Sequence, residues 1–202
     1  MGSVIDLLLP PRCAACRRPG GGLCPPCAAA AERLRLPATA VTLLAPAVAA
    51  VAGYAYDGVV RDAIRGMKIG GRHAAARALG ADLRRHPAIP AGWPTTWVPS
   101  TRWKLRARGV EIPRLLAGSR AVQLLDRTIE RPDQTTLDAY ARRHSPAGVF
   151  TARADPPAEV VLVDDVRTTG ATALAAAGAL LDAGAVRVLV VTLAVGGDDA
   201  RR

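Results

Sequence analysis

Two groups of residues in this 202-residue chain have the types and spacing that chemistry needs. The first contains all four cysteines: Cys13 and Cys16, then seven residues, then Cys24 and Cys27. A C-x-x-C pair lets two thiolates reach one ion from a tight turn. Two such pairs complete a tetrahedral shell of four sulfurs, which suits Zn2+. Gly20, Gly21 and Gly22 let the connection fold back, and Arg12, Arg17 and Arg18 offset thiolate charge. A closed shell leaves no position for substrate, so the expected role is to fold a knuckle too small to fold alone. A disulfide would need an oxidising compartment, and a redox C-x-x-C a surrounding βαβ pattern that is missing.

The second group lies in Glu159–Thr172. Val160–Val163 is a continuous aliphatic run, the mark of a strand buried on both faces of a parallel sheet. Asp164 and Asp165 follow, then Thr168, Thr169, Gly170, Ala171 and Thr172, then an Ala/Leu-rich helix over Ala173–Ala183. Ligands of open α/β sheets bind at the carboxyl ends of strands. A small-residue turn into a helix N-terminus offers backbone N–H groups and a positive dipole end to a phosphate. A phosphate alone does not favour adjacent negative charge, so the acid pair implies sugar hydroxyls, a divalent metal, or both. Neither the Walker A pattern nor the G-x-G-x-x-G dinucleotide fingerprint is present.

Hydrophobic patterning supplies the elements that must hold these groups. Val41–Ala45 and Val48–Tyr56 read as two strands around a Pro46 turn. Asp57–Met67 and Arg72–Arg85 have helical spacing, Thr95–Pro99 is a short strand, Ile112–Val122 a helix, and Val186–Val195 a final strand. Leu36–Tyr56 carries no charge but is mostly Ala with Pro46 inside, which favours strands over a membrane span. The N-terminus has no basic region before its apolar residues and reads as a short helix, so a cytoplasmic location is expected.

Half of the residues are hydrophobic and 22% are charged, which excludes wholesale disorder. The net charge of +10 points to polyanionic partners. It is unevenly spread: residues 151–202 hold five Arg against seven Asp and Glu, while 61–86 hold seven basic residues and 101–114 hold five. Arg102, Lys104, Arg106 and Arg108 alternate in what reads as an extended loop, which would put them on one side. Of 27 basic residues only Lys68 and Lys104 are lysines. Lys68 sits beside a glycine pair, where a phosphate contact and a chance helix-end lysine are both compatible with the sequence.

Val160–Thr172 resembles the phosphoribosyl pyrophosphate (PRPP) signature of type I phosphoribosyltransferases. A longer set, in order, comprises the cysteine knuckle, Tyr54–Gly58, Met67-Lys68, Val98-Pro99, Leu105–Gly109, Gln134, Arg142, Gly148–Phe150 and the PRPP signature. This set resembles the ComF family of competence-associated, phosphoribosyltransferase-like proteins over nearly the whole chain. Three stretches depart from the family pattern. Thr96-Trp97-Val98-Pro99 stands for Val-Pro-Val-Pro, Val110-Glu111-Ile112 for aromatic-Asn-Gln, and Ser145 for Asn.

The resemblance implies a type I phosphoribosyltransferase-like (Rossmann-like) α/β domain, with a parallel sheet flanked by helices, over 37–197. A zinc knuckle would occupy 1–36 and a frayed tail 198–202. Asp164 and Asp165 would hold the ribose hydroxyls near Mg2+, and Val166, Arg167, Thr168, Thr169, Gly170, Ala171 and Thr172 would form the phosphate loop. Lys68, Ser100 and Arg102 complete the expected PRPP contacts, with Arg106 and Arg108 serving the departing pyrophosphate. The implied activity is Mg2+-dependent phosphoribosyl transfer to an acceptor that the sequence does not identify, in the setting of DNA uptake. The alternative is a non-enzymatic protein that handles single-stranded DNA alongside the competence machinery and keeps the PRPP fold as a binding module. The sequence leaves the oligomeric state open.

Overall fold

The computed structural model describes residues 12–128 and 148–197. The expected N-terminal helix, Gln134, Arg142, Ser145 and the C-terminal tail lie outside them. The elements are α1 (Pro25–Glu32), β1 (Thr42–Ala45), β2 (Val48–Ala55), α2 (Gly58–Ile69), α3 (His73–Leu83), β3 (Thr95–Trp97), α4 (Arg102–Arg108), α5 (Ile112–Ala117), β4 (Leu125–Arg127), β5 (Phe150–Ala152), β6 (Glu159–Arg167), α6 (Ala171–Asp182) and β7 (Arg187–Val195). No helix among the described residues is long and apolar enough to cross a membrane, and Leu36–Tyr56 supplies β1 and β2 instead.

Five strands form one sheet in the order β1-β2-β7-β6-β3. Strands β2, β7, β6 and β3 are parallel. The sheet is nevertheless mixed, because β1 returns antiparallel to β2 through a turn at Pro46. A connection this short can join only antiparallel neighbours, since a parallel pair needs a crossover. The antiparallel pair β4 and β5 forms a second, small sheet that was not expected.

Alternation along β6 divides the interior. Val161 and Val163 face a core built with Ile64 and Met67 of α2, Ala76 and Leu83 of α3, and Ile112 and Leu116 of α5. Val160 and Leu162 face the other core, with Ala173, Ala176, Ala177 and Leu180 of α6 and Leu125 and Phe150 of the small sheet. Burial on both faces explains the uninterrupted aliphatic run. Truncating Leu162, which has no exposed surface, would cost about 2–5 kcal/mol.

The cysteine-bearing segment shares the first core through Ala14 and Ala31. Its tail pairs with β2, where Leu36 N–H donates to Gly53 and Ala55 N–H donates to the Leu34 carbonyl. Arg35 fastens this junction. Its guanidinium donates to Glu32 and to Asp82 of α3 at 2.7 Å, and lies 4.8 Å from the Tyr54 ring centroid. The Tyr54 hydroxyl donates to Asp82 at 3.0 Å.

Most expected boundaries shift by one or two residues, and two move further. The helix from Ile112 stops at Ala117, where Gly118 takes a φ of +91° and the chain turns out of the helix. The strand from Val160 runs on through Asp164 and Asp165 to Arg167, so both acids belong to the strand's last turn of pleat rather than to the loop after it.

Candidate functional site

Strands β3 and β6 are parallel neighbours, but the chain leaves them on opposite sides of the sheet: α5, downstream of β3, packs in the first core, and α6, after β6, in the second. A crevice opens where such connections diverge, beyond the carboxyl ends of the strands. A cavity of about 200 Å3 occupies it. Its walls are Val98–Thr101 from the end of β3, Asp164, Asp165 and Val166 from β6, Thr172 of α6, Lys68 of α2, Lys104 and Arg108 of α4, Pro113 of α5 and Arg127 of β4.

Each wall has a local cause. Asp57 accepts a hydrogen bond from Gly58 N–H at the start of α2, whose far end delivers Lys68. Lys68 Nζ lies 2.8 Å from Asp165 Oδ1. The lysine considered for phosphate is therefore paired with one of the acids. Gly170 takes a φ of +78° before α6, a conformation costly for other residues. The first turn of α6 carries no acidic residue, so nothing on the helix itself opposes an anion at its N-terminus. Thr168 and Thr169 flank it, exposed, and Thr169 Oγ1 accepts weakly from Ala171 N–H at 3.4 Å.

The two acids are in different electrostatic situations. Burial and then the neighbouring Asp165 charge push the Asp164 carboxyl up to about 7. The Asp165 N–H, donating to Asp164 Oδ1 at 2.8 Å, and the cations Lys68 and Lys104 only partly oppose this. Burial also holds Lys104 below the usual lysine range, helped by Arg108 and Arg127. This is a desolvated site of mixed charge, in which small displacements of a cation shift protons.

Residues 102–108 are helical, which corrects the expected extended loop. Alternate residues share one side of a strand, but residues four apart share one side of a helix. Lys104 and Arg108 therefore line the cavity together, whereas Arg102 and Arg106 are not among its walls. Of the two arginines expected to meet the leaving group, only Arg108 is at the cavity. Arg167 is also displaced: it is buried, and its guanidinium reaches Thr42 of the edge strand at 3.4 Å.

Four participants were not assigned to the site from sequence. Lys104 belongs to the basic run and reaches the cavity from α4. Arg127 arrives on the small sheet, stacked 5.0 Å from the Phe150 ring centroid, and no local motif marks it. Thr101 lines the cavity, and its buried Oγ1 has no hydrogen-bond partner among the described residues. Glu111 acts from behind: its carboxylate accepts from Ser100 N–H at 2.8 Å and from Trp97 Nε1–H at 3.0 Å. Trp97 and Glu111 both stand at positions that depart from the resembled pattern, and here they bond each other. Glu111 thereby ties Trp97 of β3 to the loop that carries Ser100 and Thr101.

At the other end of the chain, the sulfurs of Cys13, Cys16, Cys24 and Cys27 all lie within 4.8 Å of one another. All four cysteines are free of disulfides. Burial acts against ionisation of Cys13, but the Cys24 N–H, 3.4 Å from its Sγ, and other local donors outweigh it and bring the thiol to about 6. Burial pushes Cys27 up to about 12. The donor set fits a thiophilic ion such as Zn2+, whose charge would let all four ionise.

No protein-family model matches the chain, and no curated protein sequence matches it.

Proposed function

We propose that this protein binds PRPP in the crevice between β3 and β6 and transfers its phosphoribosyl group, releasing pyrophosphate. The observation that carries this reading is one cavity wall, on which Asp164 and Asp165 near the carboxyl end of a buried parallel strand stand beside Thr172 in the first turn of α6, with the Thr/Gly turn joining the two elements. The type I phosphoribosyltransferase resemblance of Val160–Thr172 supports it from the sequence side.

On this reading, the α6 N-terminus and Thr168–Thr172 hold the 5′-phosphate through backbone N–H groups and hydroxyls. Asp164 and Asp165 accept from the ribose hydroxyls. Their carboxylate oxygens also suit Mg2+, which would neutralise pyrophosphate charge when bound. Lys104, Arg108 and Arg127 face the leaving group, whose negative charge grows as the anomeric bond lengthens, so fixed cations there lower the barrier. Thr101 supplies a hydroxyl that has no other partner. Catalysis is then positioning and electrostatics, with no covalent residue. The four sulfurs hold Zn2+ as a structural ion, and native mass spectrometry should find one zinc per chain, lost in Cys24→Ser.

The test is calorimetric titration with PRPP, with and without Mg2+, together with pyrophosphate release in the presence of candidate bases. Mg2+-dependent binding in the wild type, lost in Asp164→Asn, is the expected result. No binding at millimolar PRPP would remove the proposal.

One observation favours a second reading, a module that handles single-stranded DNA in DNA uptake. Arg102 and Arg106 lie off the cavity, and Trp103 between them is 56% exposed, a cation-flanked stacking platform. Binding of an oligonucleotide should then weaken steeply with salt, and Arg106→Ala should flatten the slope. A flat salt response in the wild type would exclude it.

A further inference from the structure

A larger cavity, about 700 Å3, lies where β3 begins, away from the acid pair at the carboxyl ends of the strands. It is bounded by the end of α3, the loop 89–94 and the turn 118–121 after α5, and its floor is the sheet itself, Val161 and Val191. This volume falls in the range of small-molecule sites, whereas the 200 Å3 crevice is below it.

Charge and shape restrict what would fit. Arg84 and Arg120 both line the cavity, and none of its lining residues is acidic. Neither arginine forms an ion pair among the described residues. Arg84 Nη1 donates to the Leu116 carbonyl at 2.7 Å, which fixes the guanidinium at the wall but leaves its charge without a counterion. That carbonyl is held close by Gly80 of α3, where a Cβ would come within 2.7 Å of it. Trp93 supplies a flat wall. Arg187 stacks 5.4 Å from the ring centroid and is itself paired with Glu159, so the indole is held in place.

We propose that this cavity is a second binding site, taking a small flat apolar molecule that carries one carboxylate or phosphate. The anionic group lies between Arg84 and Arg120, and the flat body lies on Trp93 and the aliphatic floor. Two elements join this site to the crevice. Strand β3 starts at one cavity with Thr95 and leads into Val98–Thr101 at the other, and α5 reaches the crevice with Pro113 and this cavity with Leu116 and Ala117. A ligand here would therefore bear on both elements that shape the crevice wall.

The probes are 2-naphthoate, 2-naphthyl phosphate and neutral 2-naphthalenemethanol, titrated by calorimetry with the Trp93 indole resonance followed by NMR. Binding of an anionic probe at a Kd on the order of a millimolar or below is expected, with the Trp93 signal shifted. Arg120→Gln removes an exposed side chain, so folding should persist. It should weaken the anionic probes about tenfold, the loss of one charge-assisted hydrogen bond. Ala91→Trp, at an exposed lining position, should block binding sterically. Asp164→Asn should leave binding unchanged, so the outcome is independent of whether PRPP binds. The proposal is overturned if no anionic probe binds at about 10 mM, a ceiling tenfold above the expected Kd. It is equally overturned if the neutral alcohol binds as tightly, or if both variants leave affinity unchanged.

Discussion

Asp82 on α3 and Asp164 on β6 are both carboxylates, and their surroundings drive them in opposite directions. Burial pushes each one up. At Asp82 the hydrogen bonds from Arg35 and Tyr54 outweigh burial and hold the carboxyl below its ordinary range. At Asp164 burial is joined by the charge of a second carboxylate, Asp165, and the group rises to about 7. Asp82 has partners for its charge and joins three segments of chain: the residues after α1, β2 and α3. Asp164 has one backbone N–H and a rival charge. A fully satisfied carboxylate contributes to stability, whereas an under-satisfied one in a crevice costs stability and waits for a ligand that supplies what is missing.

The difference can be broken most strongly at the crevice. Asp164→Asn should lower Mg2+-dependent PRPP affinity by about a hundredfold, the loss of two or so charge-assisted contacts at 1.4 kcal/mol per factor of ten, while leaving the unfolding midpoint at neutral pH unchanged or raised. Calorimetry and urea denaturation on the same variant separate the two effects. A variant that unfolds without losing affinity would make Asp164 another Asp82.

Arg35→Ala should do the reverse. It leaves Asp82 and Tyr54 without their cation and should cost about 1–2 kcal/mol of stability, reduced because the pair is partly exposed. Ligand affinity should stay within about twofold, less than 0.5 kcal/mol. Urea unfolding curves measure the first quantity and calorimetry the second.

The pH course of stability sharpens the contrast. Between about 4, the ordinary carboxylate value, and about 7, the folded chain holds a proton on Asp164 that the unfolded chain has lost. Raising the pH through that window therefore draws the equilibrium toward the unfolded state. Asp82 acts oppositely, because its contribution is present above the ordinary value and is lost as pH falls through its lowered one. Asp164→Asn should flatten the decline between pH 4 and 7 and leave the acid limb intact. An unchanged decline would assign it to another group.

The smallest effect is expected at Glu111. Glu111→Gln keeps one acceptor oxygen of two, so either Ser100 N–H or Trp97 Nε1–H loses its partner. A loss of about 1 kcal/mol, or roughly fivefold in PRPP affinity, follows if the Ser100 loop loosens. Trp97→Phe should reproduce part of this effect, with a perturbation at the Thr101 amide visible by NMR.

Much of this arrangement could be read from local pattern. The aliphatic run before Asp164, the turn at Thr168–Gly170 and the paired cysteines each carry their geometry in consecutive residues. The basic run at 102–108 did not, because its alternation was read with a period of two while the chain there is helical. That change of period removed Arg102 and Arg106 from the crevice and left Lys104 and Arg108 in it. Arg167 is next to the loop in sequence, yet its own side chain is buried and reaches Thr42 of β1. The lone strand pair β4 and β5, three residues each, is too short to show a period at all.

From its residues alone, this chain dictates an α/β architecture, four cysteines able to share one ion, and an acid pair followed by a Thr/Gly turn into a helix. The last two depend on spacing within about fifteen residues, and backbone sterics and thiolate chemistry act at that range. Which cations meet the acid pair, that Lys68 pairs with Asp165, that Glu111 braces Ser100, and that a larger cation-lined cavity opens where β3 begins were settled by tertiary packing. Those relations join residues from different elements, from 11 apart for Ser100 and Glu111 to 97 for Lys68 and Asp165. Their energies depend on burial and on the direction in which each side chain leaves its element, and neither is defined until the two cores close.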